Sequence, residues 1–118
     1  MLVDRHSLRT RIMTQPDRLL WPTDASEAVT LPELAGIGAT LRQVRAPAGH
    51  SAPRHSHPFE QFLYVVAGSG TLQRESGPVT LAPGTVIHFA PDDWHSAVFA
   101  TDTFLLEVNL AATPSTGA

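Results

Sequence analysis

Seven residues, His55-Ser56-His57-Pro58-Phe59-Glu60-Gln61, hold the densest set of metal-ligating side chains in this 118-residue chain. Side chains alternate along an extended segment, so His55 and His57 point to one side, and Gln61 shares their odd parity. Three donors are therefore expected to converge on one spot. Imidazole nitrogen suits zinc, copper, iron and nickel, and an open catalytic site takes three or four protein ligands plus water. A fourth donor must come from elsewhere in the chain. Glu60 rivals Gln61 for the third place, but parity turns it toward an outer face or a turn. Taken alone, a His-x-His pair is as readily two ordinary loop histidines as a pair of ligands.

The wider spacing favours ligands. Gly49, five residues, His55, one, His57, three, Gln61, six, Gly68 resembles the first motif of the cupin superfamily, with Gln61 where most members carry Glu. Gly84, five residues, Ala90, Pro91, Asp92, two residues, His95 and then Phe99 resembles the second. Ala90 stands where the family has Pro, Asp92 where it has Gly and Phe99 where it has Asn; these are turn and strand positions. The resemblance spans residues 49–99 and implies a small single-domain, RmlC-like cupin. It also implies His95 as the fourth ligand, joining His55, His57 and Gln61 around one divalent transition metal.

The positioning elements read as all-β, a double-sheet jelly-roll barrel. Short apolar segments bounded by Gly, Pro and Asp predict strands at 37–46, 54–57, 60–67, 71–75, 79–81, 85–90, 95–100 and 103–110. Residues 1–28 read as an irregular arm anchored by Leu19, Leu20 and Trp21, residues 29–110 as the barrel, and 111–118 as a flexible tail. In 60–67, Leu63 and Val65 share the Gln61 face while Phe62, Tyr64 and Val66 make the other face apolar too. Such a strand needs cover on both sides. The arm, the edge of the second sheet or another subunit would supply it, and the resemblance favours a homodimer.

Composition narrows the function. There is no cysteine, so any metal is held by nitrogen and oxygen. Net charge is −3 and every basic residue is a scattered arginine, which argues against a nucleic-acid partner. The longest apolar run, Phe62 to Ala67, is far short of a membrane span, and residues 1–20 carry no apolar signal region. A soluble cytoplasmic protein acting on a small molecule is the expectation.

Three imidazoles and an amide bring no charge of their own, so they leave a divalent ion's charge uncompensated. That favours Lewis-acid chemistry (ketonisation, isomerisation, elimination or cyclisation) over the oxygen chemistry of a two-His-one-carboxylate set. It does not choose among zinc, nickel, iron and manganese. Glu107 is the expected proton carrier: Thr103, Leu105, Glu107 and Asn109 form the polar face of the last strand, which either lines the cavity or faces solvent. The His-x-His-Pro-x-Glu-Gln form resembles small cupins that ketonise unsaturated uronates, where an acidic residue on the last strand serves catalysis. The basic residue that follows it there has no counterpart, since no arginine follows Arg74.

Arg42 and Arg45 have opposite parity, so one of them reaches inward to hold a carboxylate, while Arg54 points outward. Tyr64 either contacts a ligand or packs, and His88 lines the cavity or an interface. A pocket of Phe59, Leu63, Trp94 and Phe99 would favour an apolar substrate, such as the aromatic polyketides of cyclase cupins, over an acidic sugar. The alternative to an enzyme is a barrel that binds or senses a small molecule without chemistry.

Overall fold

The computed structural model describes residues 29–111, so the arm with Leu19, Leu20 and Trp21, and residues 112–118, lie outside the described residues. Among the described residues there are nine strands: β1 (Val29–Ala35), β2 (Ala39–Ala46), β3 (Ser51–His55), β4 (Gln61–Ala67), β5 (Gly70–Arg74), β6 (Val79–Leu81), β7 (Val86–Phe89), β8 (His95–Phe99) and β9 (Thr103–Leu110). They form a five-stranded sheet, β1-β2-β9-β4-β7, and a four-stranded sheet, β3-β8-β5-β6. Both sheets are antiparallel. This is the two-sheet architecture expected from the strand spacing.

Period-two alternation places the core. β4 buries Gln61, Leu63 and Val65 and exposes Phe62 and Tyr64. β7 buries Ile87 and Phe89, and β8 buries His95, Ala97 and Phe99. The inward apolar residues of the two sheets meet in one cluster that includes Val65, Leu72, Leu81, Phe89, Phe99 and Leu105. Each fully buried side chain of this size contributes about 1.5–3 kcal/mol. Along β9 the inward face runs from Thr103 and Leu105, both buried, to Glu107 and Asn109, which are half-buried. One end of the barrel is therefore closed and apolar, and the other is open and polar.

Two expectations need correction. β1 was not among the expected strands, because Pro32 interrupts its pattern. It is tolerated because β1 is the edge of its sheet, and the register with β2 shifts between Thr30 and Glu33. The segment 54–57 was expected to be extended throughout, whereas β3 ends at His55 and His57 lies in the loop beyond it. Gln61 then opens a strand of the other sheet. The two histidines and the amide cannot share a face of one strand; any meeting between them crosses the barrel.

The outer face of β4 is apolar, as its sequence implies, but the second sheet does not cover it: Phe62 is 36% and Tyr64 39% exposed. At the closed end, Gly68 has φ +103, and a Cβ there would run into Thr103 Oγ1 and the Asp102 carbonyl. Gly77 has φ +116 with nothing within 4 Å of the same position. Thermal unfolding should separate the two effects. Gly77→Ala is expected to cost about 1–2 kcal/mol from backbone strain, and Gly68→Ala roughly 1–3 kcal/mol more from overpacking.

Candidate metal centre

The centre is built where β3 meets β8. His55 pairs directly with His95 in that ladder, so both imidazoles leave the sheet on one side. His57 is brought in by its loop, which is tied down where the Asp92 N–H donates to the His57 carbonyl at 2.6 Å. Asp92 adopts φ 69, a left-handed conformation that Asp tolerates better than most residues. The departure from Gly at this position thus keeps the turn. The result is a triad, His55, His57 and His95, with one ring nitrogen from each within 4.8 Å of the others; His55 is exposed, His57 half-buried and His95 buried.

The rings are inclined rather than stacked on one another: His55 meets His57 at 71° and His95 at 64°. Aromatic rings fix them from behind. Phe59 stacks on His57 at 4.7 Å and Phe89 stacks on His95 at 4.1 Å between ring centres. Nδ1 of His55 lies 2.7 Å from the Pro53 carbonyl, and Nδ1 of His95 lies 3.2 Å from the Asp93 carbonyl. An imidazole that gives its Nδ1–H to a carbonyl keeps Nε2 unprotonated for a cation. Burial, followed by the neighbouring His55 and then Arg42, holds His57 below the ordinary imidazole pKa of 6.5. Burial is also the main cause at His95, opposed by the Asp93 carbonyl. Three imidazoles that each offer a ring nitrogen to one spot fit a transition-metal ion.

Gln61 is 2% exposed and faces inward from β4, next to Phe89 in the ladder with β7. Its Nε2 donates to Asn109 Oδ1 at 2.8 Å. Glu60 lies in the loop just before β4, and its Oε2 is 2.6 Å from Nε2 of His88. Glu107 lies on the inward face of β9, paired in register with Arg42 on β2 and Leu63 on β4. Arg42 Nη1 donates to Glu107 Oε1 at 3.2 Å, and Arg42 Nε lies 2.8 Å from Glu33 Oε2. Burial raises the Glu107 pKa, and the Arg42 and His55 charges offset part of that rise. Arg45, of opposite parity, pairs with Asp102 on the other face.

A cavity of about 560 Å³ opens beside these groups, lined among others by Glu33, Ile37, Arg42, Phe59, Asn109 and Leu110. Three expected substrate contacts are not part of it. Tyr64 and His88 sit on the outward faces of β4 and β7, His88 beside Phe62 with ring centres 4.9 Å apart. The inward parity of β7 runs through Ile87 and Phe89, so of the two places open to His88, cavity or interface, the cavity is excluded. Phe99 faces inward but fills the core, roughly 13 Å along β8 from His95 at the usual strand rise. Trp94 carries Arg54 over its ring at 3.9 Å and borders a separate cavity of about 310 Å³. Phe89, Asn109 and Glu33 were not singled out in advance. The first two had a parity signal; Glu33 had none, because its strand went unrecognised.

A two-sheet β-barrel holding a triad of imidazoles at its open end defines a barrel protein with a potential metal centre. The family model for the cupin domain, Cupin_2, matches residues 42–109, and the chain belongs to this family. Over 50 residues it is 46% identical to (R)-mandelonitrile lyase of Granulicella tundricola, a match covering 40% of this chain and 38% of that enzyme's length. A cupin superfamily protein of Desulfitobacterium hafniense superposes with TM-score 0.69 at 14% identity, over 84% of this chain and 96% of that one. KdgF from Halomonas sp. superposes with TM-score 0.65 at 18% identity, over 78% of this chain and 98% of that one. Among the described residues no helix is long and apolar enough to cross a membrane.

The fold favours neutral His57 and His95, so their contribution to stability is complete above pH 6.5 and is lost as pH falls through their lowered folded values. Glu107, with its raised pKa, works in the opposite direction as acid is added. Melting temperatures of metal-free protein should therefore fall below pH 6.5, and His95→Gln should flatten that slope. Titration with Zn²⁺ should show one site in the wild type, weakened roughly 100-fold or more in His57→Ala.

Proposed function

We propose that the chain is a divalent-metal lyase that splits a small, uncharged α-hydroxy compound, with an aromatic cyanohydrin as the first candidate. The observation that carries this reading is the cluster of three imidazoles with a half-buried carboxyl, Glu107, close enough to feel the charge of His55, and a cavity next to its partner Arg42. His55, His57, His95 and Gln61 would hold the cation. When bound, it supplies Lewis acidity toward a hydroxyl or carbonyl oxygen.

The remaining work falls to the chain's own side chains. Glu107 takes the proton of the substrate hydroxyl; the electron pair of that O–H bond becomes the C=O bond. The bond to the nitrile carbon breaks, and its electron pair leaves with cyanide. Glu107 then returns the proton to cyanide, so the products are an aldehyde and hydrogen cyanide. A carboxyl whose pKa is raised by burial is a stronger base than an exposed one, which suits this task. Arg42 holds Glu107 in place.

The cavity supports an uncharged substrate. Its apolar wall includes Ile37, Pro58, Phe59 and Leu110, and its cationic side chain, Arg42, is already engaged by Glu33 and Glu107. Little positive charge is left for an acidic sugar, which weighs against the uronate chemistry that the sequence form suggests. The partial identity to (R)-mandelonitrile lyase supports the same choice. The Arg42 ion pair also supports a second reading, ligand binding without chemistry, because a guanidinium partner weakens a carboxylate as a base.

Protein loaded with Mn²⁺ and given (R)-mandelonitrile is expected to release benzaldehyde, followed by ultraviolet absorbance, and to stop when the metal is chelated. Glu107→Gln should lower kcat by roughly 10²- to 10⁴-fold with metal content unchanged. Loaded wild type that binds benzaldehyde but releases none from the cyanohydrin would remove the lyase reading in favour of simple binding.

A further inference from the structure

Gln61 poses a problem that Glu at the same place would not. A carboxylate presents an oxygen whichever way it turns, whereas an amide has one face that ligates a cation and one that donates hydrogen bonds. Turned the wrong way, the Gln61 NH₂ would donate to the imidazole nitrogens and compete with a cation for them. Only its hydrogen-bond partners can select the face, because the two ends are nearly the same size.

One such partner is in place. Asn109 is directly opposite Gln61 in the β4–β9 ladder, so the two inward side chains are neighbours. Asn109 Oδ1 accepts the Gln61 Nε2–H at 2.8 Å. The register at this end is clamped by the Leu110 N–H donating to the Glu60 carbonyl at 2.9 Å, one residue along each strand. Gln61 is almost fully buried, so water offers little alternative to this bond.

We propose that Asn109 is a positioning residue of the metal centre: its side-chain oxygen engages the Gln61 NH₂ and so leaves the Gln61 oxygen free to ligate the cation. This rests on the reading of Gln61 as a ligand. Asn109 acts on the cation through Gln61.

The test is Co²⁺ binding to metal-stripped full-length protein, measured by calorimetry and by the visible absorption of the bound ion, which reports its donor set. Gln61→Ala and Asn109→Leu should each weaken binding about tenfold or more, and the two variants should share one altered spectrum. The double variant Gln61→Ala/Asn109→Leu should bind no more than about threefold more weakly than Gln61→Ala alone, since the two residues form one unit. Gln61→Glu/Asn109→Leu should recover wild-type affinity or better, because a carboxylate needs no orientation. Wild-type affinity in Asn109→Leu, fully additive losses in the double variant, or failure of the Glu rescue would each overturn the proposal. If Gln61→Ala binds Co²⁺ as tightly as wild type, the ligand reading itself falls, and the role of Asn109 with it.

Discussion

The site turns on the antiparallel pairing that sets His55 opposite His95 across β3 and β8. Directly paired residues in such a ladder project to the same side, so this register alone brings two imidazoles together, with ring centres 4.3 Å apart. A slip of one residue would send one of them to the outer face. The remaining groups are then brought to this pair from across the barrel. β4 carries Gln61 and β9 carries Glu107 and Asn109 into the same open end because their ladder is in register with β2. The loop carrying His57 is held by the turn at Asp92.

This arrangement depends on a barrel whose two ends differ. Polar side chains are costly in an apolar interior unless they find partners. At the closed end the inward positions are filled by Leu72, Leu81 and Val65, and the buried Thr103 hydroxyl is satisfied by the Ser69 and Thr101 carbonyls. At the open end the polar groups are paired: Gln61 with Asn109, Glu107 with Arg42, and Arg42 with Glu33. Apolar rings, Phe59 and Phe89, back the imidazoles and disfavour their charged forms. The same burial that lowers the pKa of His57 and His95 also raises that of Glu107, so one low-polarity environment disfavours the charged form of all three groups.

A solved structure only 14% identical shares this fold, which shows how loosely the barrel constrains sequence. Alternating inward apolar residues and turns at the right places suffice for it. The chemistry is decided by the few positions at the open end, where an amide replaces the usual carboxylate and one arginine is shared by two carboxylates. Fold and function are separable in this sense. The likeness to a lyase over 50 residues bears on the site only through such positions.

Much of this was legible from residue order. Local alternation and turn chemistry act over two to five residues, so most strands from 39 to 110 and the division of β9 into two faces followed from spacing, while which of those faces turns inward did not. Motif spacing added His95. Three further things did not follow. The edge strand β1 was hidden by Pro32, whose tolerance depends on having no neighbour on one side. The inward face of β7 was left open, since Val86-Ile87-His88-Phe89 offers apolar residues at both parities and only packing against β4 selects one. The meeting of His55 with His57 was expected for the wrong reason, and Gln61 does not share a strand with them. It was read as parity along one extended segment, whereas the chain leaves one sheet after His55 and enters the other at Gln61. Residue order specifies which side chains can point inward, because side-chain direction is a property of neighbouring backbone bonds. Which inward side chains meet depends on how two sheets close over a shared core, and that is set by contacts between residues far apart in the chain.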